Sequence, residues 1–306
     1  MSLTENGEPA RAGSRRVRDL LRAGERRLAT VGVDAPGPCA AMLLAHALGW
    51  ERIALYSRSD EVAAADAAAR FDEFLSRRAA REPVQYILRS TEFWSLPILC
   101  DHRALIPRPE TEAVVETALA VIEGRMSPRI ADIGTGTGCI AIALAHERPD
   151  ARIYASDVSR DALALAARNL ERHALGQRVR LLEGDLCAPF LARGLREQFD
   201  LIVCNPPYIG ETEMPSLQAE VREHEPWVAL CAGPEALQFI RRLLEETPAL
   251  LRPDGRLVME VAEGQADAIH ELVRSNSRWL AAKCALDGAG LERVFAMCYS
   301  AKQVAT

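Results

Sequence analysis

No stretch of the 306-residue chain holds the roughly 20 consecutive apolar residues that a membrane-spanning helix needs. The opening residues, MSLTENGEPARAGSRR, are polar and then basic, and no apolar core follows them as a secretory signal requires. The eight cysteines, at 39, 100, 139, 187, 204, 231, 284 and 298, include no C-x-x-C pair. The six histidines show no ligand spacing. These absences exclude a structural zinc motif and argue against a disulfide framework. Cys39, Cys139, Cys204, Cys231 and Cys298 lie beside or within apolar runs, where a thiol serves as a small hydrophobe. That usage suits a reducing compartment, and the chain reads as cytoplasmic, with no membrane partner. Positive charge is not in surplus either. A net charge of −6 and a pI near 5.7 argue against a protein whose main work is gripping nucleic-acid backbone, so no stable nucleic-acid binding is expected. No internal repeat and no low-complexity tract appears beyond an alanine bias. What is present is an ordinary soluble composition, 49% apolar and 26% charged, at a length that allows two domains.

Residues 1–12 read as a disordered tail and 13–82 as a small helical domain. In its first helix Val17, Leu20, Leu21, Leu28 and Val31 recur at helical spacing. Pro36-Gly37-Pro38 breaks the pattern, a second short helix follows through Met42 to Leu48, and Asp60 to Arg81 carries Val62, Phe71, Phe74 and Leu75. Residues 83–108 read as an extended linker or hairpin in which Phe93-Trp94 is packing rather than substrate contact. From 109 to 306 the chain alternates short apolar runs with helical stretches. A helix begins near Glu110, and strands are predicted at 129–133, 152–157, 179–184, 200–204 and 256–261. Helices are predicted at 137–146, 159–174, 233–251 and 264–275, and an antiparallel pair at 279–286 and 292–299 closes the sheet edge. Such alternation means a mostly parallel sheet covered by helices on both faces.

The first of those strands runs into Gly134-Thr135-Gly136-Thr137-Gly138 and then into a helix. Glycine permits positive φ and close approach of a ligand, and a helix N-terminus offers unpaired N–H groups. Asp157, at the next strand tip, is placed to accept from both hydroxyls of a ribose. Asp185, at the third, suits an adenine amino group, and Leu186 suits the face of the ring. Three tips thus cover one adenosine-containing ligand. A bare strand-to-helix turn also explains a lone glycine loop, and Gly136 to Ala141 fits the dinucleotide pattern G-x-G-x-x-A, so a nicotinamide enzyme stays in play.

The fourth strand separates these readings. LIVC runs into Asn205-Pro206-Pro207-Tyr208, and two prolines cannot continue a ladder. An amide or ring nitrogen is a poor nucleophile because its lone pair is delocalised, the same conjugation that gives a peptide C–N bond a barrier of roughly 18–20 kcal/mol. A site that methylates such a nitrogen should hold both N–H protons on acceptors and leave the lone pair facing the donor. Asn205 offers a side-chain oxygen, Pro206 a rigidly held carbonyl and Tyr208 a flat face. Positioning of this kind contributes up to about 7–11 kcal/mol. No general base is needed before transfer, which matches a motif without one.

Residues throughout the chain resemble the HemK/PrmC family, the peptide chain release factor glutamine methyltransferases. The stretches that carry the resemblance are PVQYIL, EFWSLPI, LIPRPETE, DIGTGTGCIAIALA, ASDVSRDALALAARN, GDL, NPPYI and EVAEGQ, in family order from about residue 40 to 300. The resemblance implies a seven-stranded, Rossmann-like class I methyltransferase domain dependent on S-adenosyl-L-methionine, behind a helical domain that docks the substrate. It implies methylation of the side-chain nitrogen of the glutamine in the Gly-Gly-Gln loop of bacterial class 1 release factors. Carried over by position, Gly134 to Gly138 hold the methionine end of the cofactor, Asp157 the ribose and Leu186 the adenine. Asn205 to Tyr208 hold the glutamine, with Asn205 bordering the cofactor as well. Three positions depart from the family: Arg89 replaces a usual glycine, Ala262 follows Glu260-Val261 where glycine is usual, and Leu186 replaces a frequent aromatic. Within RPETE, Pro109 with Glu110 and Glu112 is also an ordinary helix start, and no separate chemical role follows for Arg108 or Glu112. Two rival acceptors share the Asn-Pro-Pro-Tyr chemistry. One is another protein glutamine, on a ribosomal protein, and the other is adenine N6 in a nucleic acid, which demands a basic cleft. The arginines at 11, 15, 16 and 18 are the sole candidate for that cleft. A non-catalytic binding module is the remaining option.

Overall fold

The computed structural model describes residues 15–300. The tail expected at 1–12, Arg11 with it, lies outside them. The chain divides into two compact units between Leu88 and Arg89.

Helices Val17–Thr30, Pro36–Leu48 and Ala65–Ala79 pack the first unit around Leu20, Leu28, Leu43, Leu44, Phe71 and Leu75. Pro36-Gly37-Pro38 starts the second helix rather than preceding it. Pro36 stands at the first helical position, where its missing N–H has no intrahelical partner to lose. Val31 lies just past the first helix and is exposed. Val62 is exposed too, and it precedes the third helix, bridging back to Arg16 instead. The stretch expected as extended from residue 83 begins with a helical turn, Val84–Leu88, before the second unit starts.

In the second unit β1 (Ser90–Phe93) and β2 (Leu96–Leu99) form an antiparallel hairpin. A seven-stranded sheet follows, made of β3 (Arg129–Ile133), β4 (Arg152–Asp157), β5 (Val179–Glu183), β6 (Phe199–Cys204), β7 (Leu251–Glu260), β8 (Trp279–Leu286) and β9 (Glu292–Tyr299). Their order is β5-β4-β3-β6-β7-β9-β8. β3 to β7 run parallel, and β9 is antiparallel to both β7 and β8. The order reverses between β3 and β6, and ligands of open α/β sheets sit beyond the strand ends at such a crevice.

β6 is buried along its whole length, as expected of a central parallel strand. Leu201 and Val203 face one core with the helices Glu112–Val121 and Cys139–Glu147. Ile202 and Cys204 face the other with Gln238–Glu246 and Ala266–Ser275. Asp200 is the polar exception in β6. Its carboxylate accepts from Arg129 N–H at 2.9 Å and Arg125 Nη1 at 3.0 Å, so its burial is compensated. The helix predicted over 233–251 spans only Gln238–Glu246. Pro248 ends it in a short 3₁₀ turn, and β7 begins at Leu251, five residues earlier than expected. None of the eight cysteines is in a disulfide. Cys39, Cys139 and Cys204 are buried as small hydrophobes, but so are Cys100 and Cys187, whereas Cys231 and Cys298 are partly exposed. Among the described residues no helix is long and apolar enough to cross a membrane, and no cluster of side chains suits a metal ion.

Candidate active site

β3 ends at Ile133, and five residues turn it into the helix Cys139–Glu147. Gly134, Gly136 and Gly138 have φ of 72°, 56° and 84°. In that region any residue with a side chain costs roughly 1–2 kcal/mol. The turn is pinned from three directions. Gly136 N–H donates to Asp157 Oδ2 at 2.9 Å, and Ser159 N–H donates to the other carboxylate oxygen at 2.9 Å. Asn169, fully buried on the helix Arg160–Arg172, donates to the Thr137 carbonyl at 2.9 Å and holds β2 through Leu99. Beneath the loop Asp132 is wholly buried. Its Oδ2 accepts from Thr135 Oγ1 at 2.6 Å while its Oδ1 has no protein partner. Burial pushes the Asp132 acid up to about 7 and also raises Asp157.

A cavity of about 260 Å³ lies over these strand tips. Gly134 to Thr137, Asp157, Asp185, Leu186 and Asn205 to Pro207 all line it, while Gly138 and Tyr208 do not. Gly138 instead caps the following helix. Asp185 faces the cavity, yet its carboxylate is paired with Arg242 at 2.7 Å. Leu186 is buried, with φ of 41°. This lining suits S-adenosylmethionine. The glycine loop leaves no Cβ in the way, Asp157 presents a carboxylate to the cavity, and Leu186 gives an apolar wall.

The double proline is where the chain leaves the sheet. β6 stops at Cys204, and backbone pairing resumes only at Ile209. There Ile209 N–H donates to the Leu230 carbonyl and Ala232 N–H to the Ile209 carbonyl. Asn205 and Pro206 line the 260 Å³ cavity on one side. On the other they line a second cavity of about 180 Å³, with Tyr208, Ile209 and Leu217. Asn205 Nδ2 donates to Thr111 Oγ1 at 3.1 Å, and Thr111 Oγ1 donates to Glu260 Oε2 at 2.6 Å. Tyr208 OH donates to Glu260 Oε1 at 3.3 Å, and Gln265 Nε2 donates to the Tyr208 carbonyl at 3.2 Å. Burial raises the Tyr208 phenol and the Glu260 carboxyl, the latter against the opposing pull of Thr111.

Arg108 and Glu112, the two residues of RPETE that sequence left without a role, both have partners here. Arg108 Nη2 donates to the buried Glu225 at 2.5 Å, and Glu225 also accepts from Ile106 N–H, which anchors the segment that roofs the cavity. Glu112 accepts from Trp94 N–H at 2.7 Å, tying the hairpin to the helix start. Phe93 is buried in the core, and Trp94 packs at its margin with its indole N–H on Glu147.

A family model described as the PrmC N-terminal domain matches residues 19–88, and one described as the methyltransferase small domain matches residues 112–221. The release factor glutamine methyltransferase of Moorella thermoacetica is 42% identical over 279 residues, covering 91% of this chain and 97% of its own. The chain belongs to the release factor glutamine methyltransferase family. The Nitratidesulfovibrio vulgaris member is 38% identical, covering 93% of this chain and 96% of its own. A methyltransferase from Pyrococcus furiosus shares the fold, with a TM-score of 0.50, 21% identity, and coverage of 73% of this chain and 98% of that one. The protein is therefore a class I methyltransferase. Arg89 of this methyltransferase has φ of 56°, which is why glycine is at home there. Ala262 N–H donates to Gln265 Oε1 at 3.1 Å.

Thr111, Glu225, Glu260, Asp132 and Asn169 escaped the sequence reading as site residues. Thr111, Glu260, Asp132 and Asn169 stand inside quoted motifs, which is a usable signal, but nothing local says which distant group each one meets. Glu225 had no signal at all.

Proposed function

We propose that this methyltransferase transfers a methyl group from S-adenosyl-L-methionine to the side-chain nitrogen, N5, of the glutamine in the Gly-Gly-Gln loop of bacterial class 1 release factors, in the cytoplasm. The observation that carries the reading is the position of Asn205 and Pro206 on the wall shared by the two cavities. In this reading Gly134 to Gly138 take the methionine end of the cofactor, Asp157 the ribose, and Asp185 with Leu186 the adenine; all of these but Gly138 line the larger cavity, and Asp132 lies buried beneath the loop. When bound, the cofactor supplies an electrophilic methyl carbon on a sulfonium.

The chain's own residues do the rest. Asn205 Oδ1 and the Pro206 carbonyl accept the two N–H groups of the glutamine amide, and Tyr208 and Pro207 flank its plane. With both protons held, the nitrogen lone pair is left to face the methyl carbon. One C–N bond forms as one S–C bond breaks, and the alkylated nitrogen, now acidic, sheds a proton to water. Loss of one such polar partner costs about 2.7–4 kcal/mol in comparable sites.

The test is incubation with methyl-labelled cofactor and a bacterial release factor. Label is expected on the intact Gly-Gly-Gln protein and lost when that loop becomes Gly-Gly-Ala. Label that persists after the change, or that goes instead to a ribosomal protein or to DNA, overturns the reading.

A further inference from the structure

We infer that Thr111 and Glu260 are positioning residues that set which end of the Asn205 amide meets the substrate. The inference rests on the proposed glutamine reading, in which the substrate brings an NH₂ group.

An asparagine amide can be turned over with almost no change of shape, exchanging an acceptor for a donor. Only one of the two orientations accepts a substrate N–H. The other aims N–H at N–H, which repels. Something must therefore choose, and backbone geometry at Asn205 cannot. The choice is made by proton counting along a short chain of side chains. Glu260, when ionised, only accepts. It accepts from the Thr111 hydroxyl at 2.6 Å on one oxygen and from the Tyr208 hydroxyl at 3.3 Å on the other. Thr111 has a single proton to give, so once it is spent on Glu260 its oxygen can only accept. Asn205 must then turn its NH₂ toward Thr111, at 3.1 Å, and its oxygen toward the cavities it lines.

Both supporting groups are almost sealed from water, Thr111 at 2% and Glu260 at 1% exposure. Water therefore cannot stand in for either partner, and a buried carboxylate is costly unless its neighbours satisfy it. Tyr208, the fourth substrate-facing residue of the motif, is held by the same carboxylate. One acid at the end of β7 thus orders both side chains of the acceptor pocket, across 149 residues of sequence between Thr111 and Glu260.

A rival explanation is that the pair merely staples the start of the helix at Glu112 to β7. Two measurements separate the explanations. The first needs no substrate. Asn6, Asn169, Asn205 and Asn276 are the four asparagines, so the side-chain amides of the full-length protein labelled with ¹⁵N-asparagine are few enough to follow individually by NMR. Solvent exchange of the Asn205 NH₂ protons is expected to quicken roughly tenfold in Thr111→Val, which removes their acceptor, and to stay near wild type in Thr111→Ser. Unchanged exchange in Thr111→Val overturns the inference.

The second is kinetic. Thr111→Val should lower kcat on the release factor roughly tenfold or more, with cofactor affinity held within about twofold and activity recovered in Thr111→Ser. Glu260→Gln offers one acceptor and one donor where two acceptors are needed, and should show the same pattern. In an Asn205→Ala background, single-turnover measurements should find Thr111→Val almost silent, because its target is gone. Equal losses with and without Asn205, or a matching loss of cofactor binding, would leave only the staple. If Thr111→Val does not fold, Glu260→Gln carries both measurements, and wild-type exchange and turnover there overturn the inference. A wild-type enzyme that ignores release factors counts against the proposed function, whereas the amide-exchange result decides this inference by itself.

Discussion

On the side of the cleft proposed for the methyl donor, the loop Gly134 to Gly138 takes its geometry from three left-handed glycines, braced by Asp157 and Asn169. On the side proposed for the acceptor, Asn205 and Tyr208 hydrogen-bond to partners 94 and 52 positions distant in the chain. A loop built on backbone φ can be damaged only by adding a side chain or removing its brace. A pocket built on side-chain hydrogen bonds can be damaged from far away, by residues that touch neither ligand. The glycine loop therefore answers to remote substitution only at its braces, Asp157 and Asn169, whereas the Asn205 pocket answers to it at each distant hydrogen-bond partner.

The largest expected break falls on the acceptor side. Asn205→Ala should lower kcat by about 10²–10³ while leaving cofactor affinity near wild type, as read by methyl transfer and by calorimetric titration with the cofactor. A parallel loss of cofactor affinity would erase the distinction between the two sides. Gly136→Ala should do the reverse. With φ of 56° the new side chain costs roughly 1–2 kcal/mol, so cofactor binding should weaken about 5- to 30-fold and kcat at saturation should hold.

A smaller effect comes from the acid beneath the donor loop. Burial lifts Asp132 to about 7, so the folded protein holds that proton more tightly than the unfolded chain. Its stabilising contribution is fully present below the unfolded carboxylate range and is lost as pH rises through about 7. Asp132→Asn, neutral at every pH, should flatten the loss and raise Tm at pH 8 by roughly 2–4 °C in the cofactor-free protein, with little change at pH 4. Melting curves at both pH values check it. The smallest change sharpens the backbone half of the comparison outside the site. Arg89→Gly should relieve a left-handed residue, partly offset by greater freedom of the unfolded chain, for a net gain of about 0.5 kcal/mol in urea unfolding.

How much of this was legible depended on the range of the forces involved. β3 to β6 and the glycine loop were readable because a buried strand and a tight turn advertise themselves within ten residues. The boundary errors came from proline. Pro36 reads as a break but opens a helix, and Pro248 cuts short a helix predicted to run to residue 251. The short helices Ala188–Leu191, Ala219–His224 and Trp227–Leu230 were missed because four to six residues hold too little periodicity. RPETE looked like a helix start with acids in its first turn. It is that, but Arg108, Thr111 and Glu112 also reach Glu225, Glu260 and Trp94, which nothing in five letters reveals.

The amino-acid order alone determined an alternating parallel sheet, a glycine turn with an acid at the next strand tip, and a rigid Asn-Pro-Pro-Tyr exit from the central strand. Each is a property of neighbours along the chain, where φ preferences, missing N–H groups and apolar periodicity act. Tertiary structure alone decided that Asn205 stands between two cavities and that one buried glutamate orders the pocket around it. A hydrogen-bond donor has no preferred partner until folding excludes water and leaves it a single acceptor within reach.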